Sequence, residues 1–444
     1  MKKVQFSKKQ SICKILPVGL SVGFGSTSVD IIPSQFSVLF TLLLLVFSLL
    51  TGCGTYSSSS AELLTENDAY RQEEIAVRND PIWTDEKNLR AMIISDLHYT
   101  ENKDANPAIV PGIALAEEIT DVIAEEVIER HPDVLIMTGD NTDTGRAEDA
   151  SGLVQRLQKI RDNGIPIILT TGNHDFNHMT AKEFEDAYFG LLNPVDRDPD
   201  SLSYTAIVKD VVFLAMDDNY LYGGAHGEFS GETLRWLSEM LEKYRDHTVI
   251  FLSHHNVLYG RERDGSGSNL IQNPELPDIL KGGGVRLALT GHMHLQYITK
   301  QDGLWEILSG MPFSGGHLIG NLAVGADRML YYAEPIDFER YNSSIVEILG
   351  SLDASSADHI SSVFSKVLDK EGLRGRKRRR VQDLLDRFFL YYGQGTLSEH
   401  KRQLMEDPYY DQMIDALWDH NYGPWIKEMI ETTKYSGRKL EVSW

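Results

Sequence analysis

Five apolar, often β-branched runs each end in a short polar motif, and this recurrence narrows the folds open to the chain. Residues 91–95 lead into Asp96-Leu97-His98, and residues 134–138 into Gly139-Asp140-Asn141. Residues 167–171 lead into Gly172-Asn173-His174-Asp175, residues 249–253 into His254-His255, and residues 285–290 into Gly291-His292-Met293-His294. Runs of this length and composition read as buried strands. Each motif then stands at a strand's C-terminal end, the edge of an α/β sheet where ligand sites collect.

The segments between these runs alternate in character. Leu115, Ile119, Val122, Ile123, Val127 and Ile128 recur at helical spacing, with Glu117, Glu118, Glu125 and Glu126 on the other face, and His131-Pro132 ends that helix. Residues 150–163 and 231–244 predict two further helices. Residues 204–208 and 211–216 predict a hairpin turned at Lys209-Asp210. The mixture predicts two packed sheets flanked by helices. Short strands are expected at 295–299 and 304–308. A loose domain boundary is placed near residue 330, with the chain helical from about Asp353 to its end. The aromatics of that last region (Phe388, Phe389, Tyr391, Tyr392, Tyr409, Tyr410, Trp418 and Trp425) read as core, the lesser alternative being a platform that stacks a nucleobase.

The N-terminus has its own logic. Lysines come first, then an apolar run over residues 36–50, then Leu50-Thr51-Gly52-Cys53. Charge, apolar stretch and small residues in this order match a secretory signal, and the ending resembles a bacterial lipobox. That resemblance implies a signal peptide over residues 1–52, with Cys53 acylated and the chain held on the extracytoplasmic face of the cell membrane; the alternative is an uncleaved membrane anchor. The leader is long for this class, so the true start could lie downstream of Met1. Residues 53–88 read as a flexible tether, 89–330 as the domain that carries the five motifs and 331–444 as the helical region.

With 65 Asp and Glu against 43 Lys and Arg, the net charge is -22, which repels polyanions and argues against nucleic acid as a partner. The basic run at 374–380 departs from this balance; it reads as a solvated, flexible segment, the alternative being a grip on anionic lipid or wall polymer. The two cysteines, Cys13 and Cys53, both precede the body, so thiolate metal ligands are excluded there.

The motifs are rich in oxygen and nitrogen donors. Two neighbouring cations repel and need a shared anion, for which Asp140 is the candidate, since a carboxylate has lone pairs on both oxygens. Asp96 and His98, two apart, can reach one metal, while His292 and His294 can be split between two. Asn173 offers a neutral carbonyl oxygen, and His254, immediately after its strand, is preferred over His255. Such donors suit manganese, iron or zinc.

This ordered set resembles the calcineurin-like metallophosphoesterase superfamily over roughly residues 89–296. The resemblance implies a four-layer α/β/β/α sandwich and a pair of divalent or trivalent transition metal ions. Asp96, His98, Asp140 and His294 would hold the first, and Asp140, Asn173, His254 and His292 the second. His174 would assist the leaving group, with Asp175 orienting its ring. One departure is Asn256, where family members often carry proline. Attack by a hydroxide bridging the metals on a small phosphoester is the implied reaction, and the motifs look like those of class III cyclic nucleotide phosphodiesterases. Alternatives are a phosphomonoesterase or nucleotidase of this fold, and a non-catalytic surface binding lipoprotein.

Overall fold

The structure, a computed structural model, describes residues 80–102, 112–220, 222, 224, 226–260, 270–420 and 422–443. The expected signal sequence, Cys53 and the tether as far as residue 79 lie outside the described residues. No helix among the described residues is long and apolar enough to cross a membrane.

Strands and helices first alternate: β1 (Leu89–Ile94), α1 (Ala116–Arg130), β2 (Val134–Thr138), α2 (Ala147–Asp162), β3 (Ile167–Thr170) and α3 (Ala181–Tyr188). A second run follows: β4 (Asp196–Arg197), β5 (Tyr204–Val208), β6 (Val211–Ala215), α4 (Gly231–Lys243), β7 (Thr248–Leu252), α5 (Leu276–Gly282), β8 (Leu287–Thr290), β9 (Tyr297–Gln301) and β10 (Leu304–Leu308). Then come β11 (Leu318–Val324), β12 (Arg328–Pro335) and helices α6 (Phe338–Asn342), α7 (Val346–Lys370), α8 (Gly375–Gly393), α9 (Leu397–Met405), α10 (Tyr410–Leu417) and α11 (Tyr422–Thr432), before a last strand, β13 (Lys439–Ser443).

These strands form two sheets. One has the order β13-β12-β11-β1-β2-β3 and the other β4-β5-β6-β7-β8-β10-β9. In the first, β1, β2 and β3 run parallel, with Ala91 opposite Val134 and Leu135 opposite Ile167. In the second, β6, β7, β8 and β10 run parallel. The period-2 alternation of a strand sorts its side chains between two faces. Phe213 and Ala215 of β6, with Ile250, Leu252, Leu287 and Leu289, join the core shared with the first sheet. Val212, Leu214 and Phe251 face the other way, onto Trp236, Leu237 and Leu241 of α4 and Leu276 and Leu280 of α5. Tyr204 spans the interior: its hydroxyl donates to the Leu169 carbonyl and accepts from the Leu169 amide, each at 3.0 Å. The result is the expected pair of packed sheets with helices outside.

Local signals explain the boundaries. α1 stops where His131 takes a left-handed φ of 48° ahead of Pro132, as the His131-Pro132 pair predicts. The hairpin turns at Lys209, φ 51°.

Three expectations shift. The boundary near residue 330 falls inside β12. The chain is not helical to its end, because β13 returns to pair with β12, Arg328 opposite Ser443. The tether ends earlier than residue 88: Ile82 is buried with Ala323, Leu330 and Tyr332, and Asp80 bonds Arg328 at 2.6 Å. The helical region is therefore an excursion between two neighbouring strands of the first sheet.

Its aromatics are mostly core, as read from the sequence. Phe388, Phe389, Tyr392 and Trp425 pack with Ile426 and Met429, although Trp418 is exposed. This cluster also takes in Tyr259, Met293 and Leu295 from the catalytic half, and the Tyr259 and Tyr392 hydroxyls bond at 2.8 Å. The basic run is ordered rather than flexible, entering the first turns of α8 with Arg378 bonded to Asp369 at 2.6 Å.

Leu440 is nearly fully buried in β13. Leu440→Ala is expected to lower stability by about 2–5 kcal/mol, the usual range for a core leucine, measured by urea denaturation. A change below about 0.5 kcal/mol would show that β13 adds nothing to the body.

Candidate metal centre

All five motifs meet at one place. β1, β2 and β3 deliver Asp96, His98, Asp140, Asn173 and His174 from the first sheet, while β7 and β8 deliver His254, His292 and His294 from the second. The backbone is bent sharply to do this. Asp96, His98, Asp140, His292 and His294 have φ of 51°, 40°, 47°, 68° and 52°. A left-handed conformation at a non-glycine residue costs about 1–3 kcal/mol and clusters at functional sites. Two of the motif glycines answer a close approach. A Cβ on Gly172 would lie 2.0 Å from the Asp140 amide nitrogen, and one on Gly291 only 1.9 Å from Ser95 Oγ.

The donor atoms fall into two sets. Ligand atoms of Asp96, His98, Asp140 and His294 all lie within 4.8 Å of one another, as do those of Asp140, His254 and His292. Asn173 Oδ1 joins the second set, 3.2 Å from His254 Nε2 and 3.1 Å from His292 Nδ1. Asp140 Oδ2 stands between the sets, 3.7 Å from His98 Nε2 and 3.3 Å from His254 Nε2. Its other oxygen accepts from the His174 amide at 2.8 Å. Asp96 ties the two sheets together by accepting from the His292 amide at 3.0 and 3.1 Å.

The donor chemistry fits cations. His98 Nε2 and His294 Nε2 face each other at 3.0 Å, and His254 Nε2 and His292 Nδ1 at 3.2 Å. Lone pairs this close repel unless a proton or a cation lies between them. His254 places Nδ1 2.9 Å from the Thr138 carbonyl, which accepts its proton and leaves Nε2 as the donor atom toward the cluster. With N and O ligands and no sulfur, the set suits first-row transition metals.

Electrostatics follow from burial. Burial pushes Asp96 up to about 6, against the pull of His254. It would raise Asp140 too, but His254 and His174 hold that carboxylate well below its usual range. Burial opposes charge on His254, yet Asp140 and Asp96 raise it to about 10. His292 and His294 go the other way: burial and the neighbouring imidazoles keep both well below the ordinary histidine value, so they stay neutral.

His255 lies outside the donor sets. Its amide donates to Asp218 Oδ2 at 2.7 Å and its Nδ1 lies 3.2 Å from Asp218 Oδ1. Asn256 ties the His254 loop to the next one, donating to Thr290 Oγ1 at 3.0 Å and the Gly291 carbonyl at 3.1 Å.

One assignment needs correction. Asp175 does not orient the ring of His174. Its buried carboxylate accepts from Asn141 Nδ2 at 2.9 Å, the Thr142 amide and hydroxyl at 2.9 Å each, and the Gly172 amide at 3.0 Å, which clamps two ligand loops together. The His174 ring is held by Asp143 instead: Nδ1 donates to the Asp143 carbonyl at 2.8 Å, and Asp143 Oδ1 lies 3.9 Å away. The His174 side chain is 24% exposed, whereas those of His98 and His254 are fully buried, so His174 is the one open to a substrate.

Sequence reasoning passed over Asp143, Asp218 and Glu306. Asp143 is three residues past Asp140, and Asp218 stands in the pair Asp217-Asp218 that follows the run 211–216, the same strand-then-polar pattern as the five motifs. Glu306 sits inside β10, where its carboxylate accepts from the amides of Val257, Leu258 and Tyr259 at 2.6, 2.9 and 2.7 Å and fixes the segment after His254.

A two-sheet α/β body whose parallel strand ends converge on two oxygen- and nitrogen-rich donor sets is the calcineurin-like metallophosphoesterase fold. Residues 89–296 match the family described as "Calcineurin-like phosphoesterase". Similar proteins include one from Arcobacter nitrofigilis named "Probable glycerophosphodiester phosphodiesterase GpdQ", 30% identical over 37% of this chain and 57% of its own length. Proteins named "3',5'-cyclic adenosine monophosphate phosphodiesterase CpdA" are 23% identical in Haemophilus influenzae, over 48% of this chain and 73% of theirs, and 27% identical in Escherichia coli K12, over 47% and 70%. The chain thus spans between half and three quarters of the length of these relatives.

Asp175→Ala is expected to cost about 3 kcal/mol or more, since it leaves several buried donors without an acceptor, and to lower activity equally for good and poor leaving groups. Denaturation and a leaving-group series check both. A loss confined to poor leaving groups would return Asp175 to the His174 ring.

Proposed function

We propose that this chain is a dinuclear metal-dependent phosphodiesterase acting on small diesters, cyclic nucleotides among them, and held at the membrane through a lipid on Cys53. The observation that carries the reading is the position of Asp140 Oδ2 between two donor sets, one built around His98 and His294 and the other around His254 and His292. Asp96, His98, Asp140 and His294 are assigned to one ion, and Asp140, Asn173, His254 and His292 to the other. Two such ions supply Lewis acidity and lower the pKa of water, which phosphoester hydrolysis needs near neutrality.

The chain's own residues complete the site. Asp140 would place negative charge between the two ions, and its second oxygen accepts from the His174 amide, which fixes one loop relative to the other. His174 has its Nδ1 proton committed to the Asp143 carbonyl, so Nε2 is the atom that exchanges a proton with the leaving alkoxide. Asp143 also lies 3.4 Å from His98 Nδ1, placing negative charge behind two imidazoles at once. The relatives named for glycerophosphodiesters and for cyclic adenosine monophosphate support a diester substrate. Hydrolysis of an alkyl diester breaks one P–O bond and expels an alkoxide, which a positioned acid protonates.

His174→Ala is expected to keep its metals, by elemental analysis, while losing roughly 10²–10⁴-fold in rate. The loss should shrink on p-nitrophenyl esters, whose leaving group needs little protonation. A wide preference of the native enzyme for phosphomonoesters over diesters would overturn the diesterase reading.

The anchoring reading rests on the lysine-rich start, the apolar run 36–50 and the Leu50-Thr51-Gly52-Cys53 ending. Cys53→Ser is expected to abolish lipid labelling and leave the precursor unprocessed, read by mass spectrometry of the N-terminus. A mature wild-type chain beginning elsewhere without lipid would reject it.

A further inference from the structure

The segment that follows β6 is rooted in the metal centre on both sides. Asp217 accepts from Thr171 Oγ1 at 2.7 Å, and Asn219 Nδ2 donates to the same hydroxyl at 3.0 Å, one residue before Gly172-Asn173-His174. Between them, Asp218 Oδ2 accepts from the amides of His254 at 3.1 Å and His255 at 2.7 Å. The next described residues, Tyr220 and Tyr222, therefore emerge at the rim of the site, between the loop that carries His174 and the loop that carries His254.

Both rings are left open. Tyr220 is 54% and Tyr222 43% exposed, and with Trp418 they are the only large exposed aromatics among the described residues. Tyr222 is held in place rather than loose. Its ring meets Phe176, two residues past His174, edge-on at 4.6 Å, and its amide donates to the Asn219 carbonyl at 2.7 Å. Its φ of 29° is a conformation bulky residues avoid. Strain at a fixed, half-exposed ring beside a reaction centre calls for a ligand. The aromatics of the helical region, by contrast, are mostly spent in its core, Trp418 being the exposed exception.

We propose that Tyr222, supported by Phe176 and joined by Tyr220, forms a stacking subsite for a flat aromatic group on the alcohol side of the phosphoester, a nucleobase being the class of ligand that fits. The inference rests on the phosphoesterase reading of the neighbouring centre and narrows its substrate. A π-face accepts any base, so the subsite favours nucleotides over aliphatic diesters without selecting among bases.

The test measures two things on the metal-loaded full chain. One is equilibrium binding of adenosine 5'-monophosphate by calorimetry. The other is the ratio of kcat/KM for 3',5'-cyclic AMP to that for glycerophosphoethanolamine, an aliphatic diester. Tyr222→Ala is expected to weaken nucleotide binding and lower the ratio, each about tenfold, within the range seen when a stacking aromatic is removed. Tyr222→Phe should keep the ratio within about twofold, because the ring remains, and Tyr220→Ala should shift it in the same direction as Tyr222→Ala. An unchanged ratio with unchanged binding in Tyr222→Ala, or an equal loss on both diesters, overturns the subsite. Should the native chain cleave the aliphatic diester yet bind no nucleotide, the subsite falls and the diesterase reading stands. Should it bind nucleotide in a Tyr222-dependent way and cleave neither diester, the subsite stands and the diesterase reading falls.

Discussion

Everything in the catalytic half depends on the repulsion between donor atoms crowded at the seam of two sheets. Ring nitrogens approach to 3.0 and 3.2 Å, and carboxylates stand behind them in a dry environment. Attraction between Asp140 and His254 opposes this only in part, so the rest of the fold must force the paired ring nitrogens together. The forcing elements are identifiable. Asp96 grips an amide of the opposite sheet, Tyr204 bridges the sandwich interior, and Asp175 clamps the loops after β2 and β3. Backbone strain at five donor positions is part of the same compromise, and cations held by these donors would relieve the repulsion that the scaffold imposes.

The helical region belongs to this scaffold. Met293 lies between the donors His292 and His294 in sequence, and its side chain is buried in the cluster of Phe388, Tyr392 and Trp425. Tyr259, five residues past His254, is bonded to Tyr392. Two donor loops are thus pinned by helices that come late in the chain, and β13 fastens those helices back onto the first sheet.

Sequence carried the donors because their chemistry demands particular residue types at strand ends. Asp96, Asp140, Asn173 and His292 could be found without knowing which neighbour each would touch. It failed where the role of a residue depends on direction. Asp175 follows His174 directly, yet its side chain turns to Thr142 and Gly172, and Asp143, one loop away, meets the imidazole. β11 and β12 were passed over because no motif punctuates them, and the Gly320 and Asn321 of β11 interrupt its apolar run. β13 does alternate, Lys439-Leu440-Glu441-Val442, but two apolar residues are too short a period to separate from a loop. The aromatics read from the sequence as core are mostly core, Trp418 excepted, whereas the exposed rings beside the site, Tyr220 and Tyr222, carried no periodic signal at all.

Arg328 gives the molecule a direction. It bonds Asp80, where the described chain enters the body, and Glu441 of β13, where it ends. Arg328 opens β12, next to the end of β11, and Val324 at that end is opposite Leu89, the first residue of β1. The donors Asp96 and His98 lie beyond the other end of β1, about 20 Å away for a strand of six residues. Both ends of the body therefore leave from the pole opposite the reaction centre. The mouth of the site is thus clear of both ends of the described chain, and a small molecule reaches it without passing either.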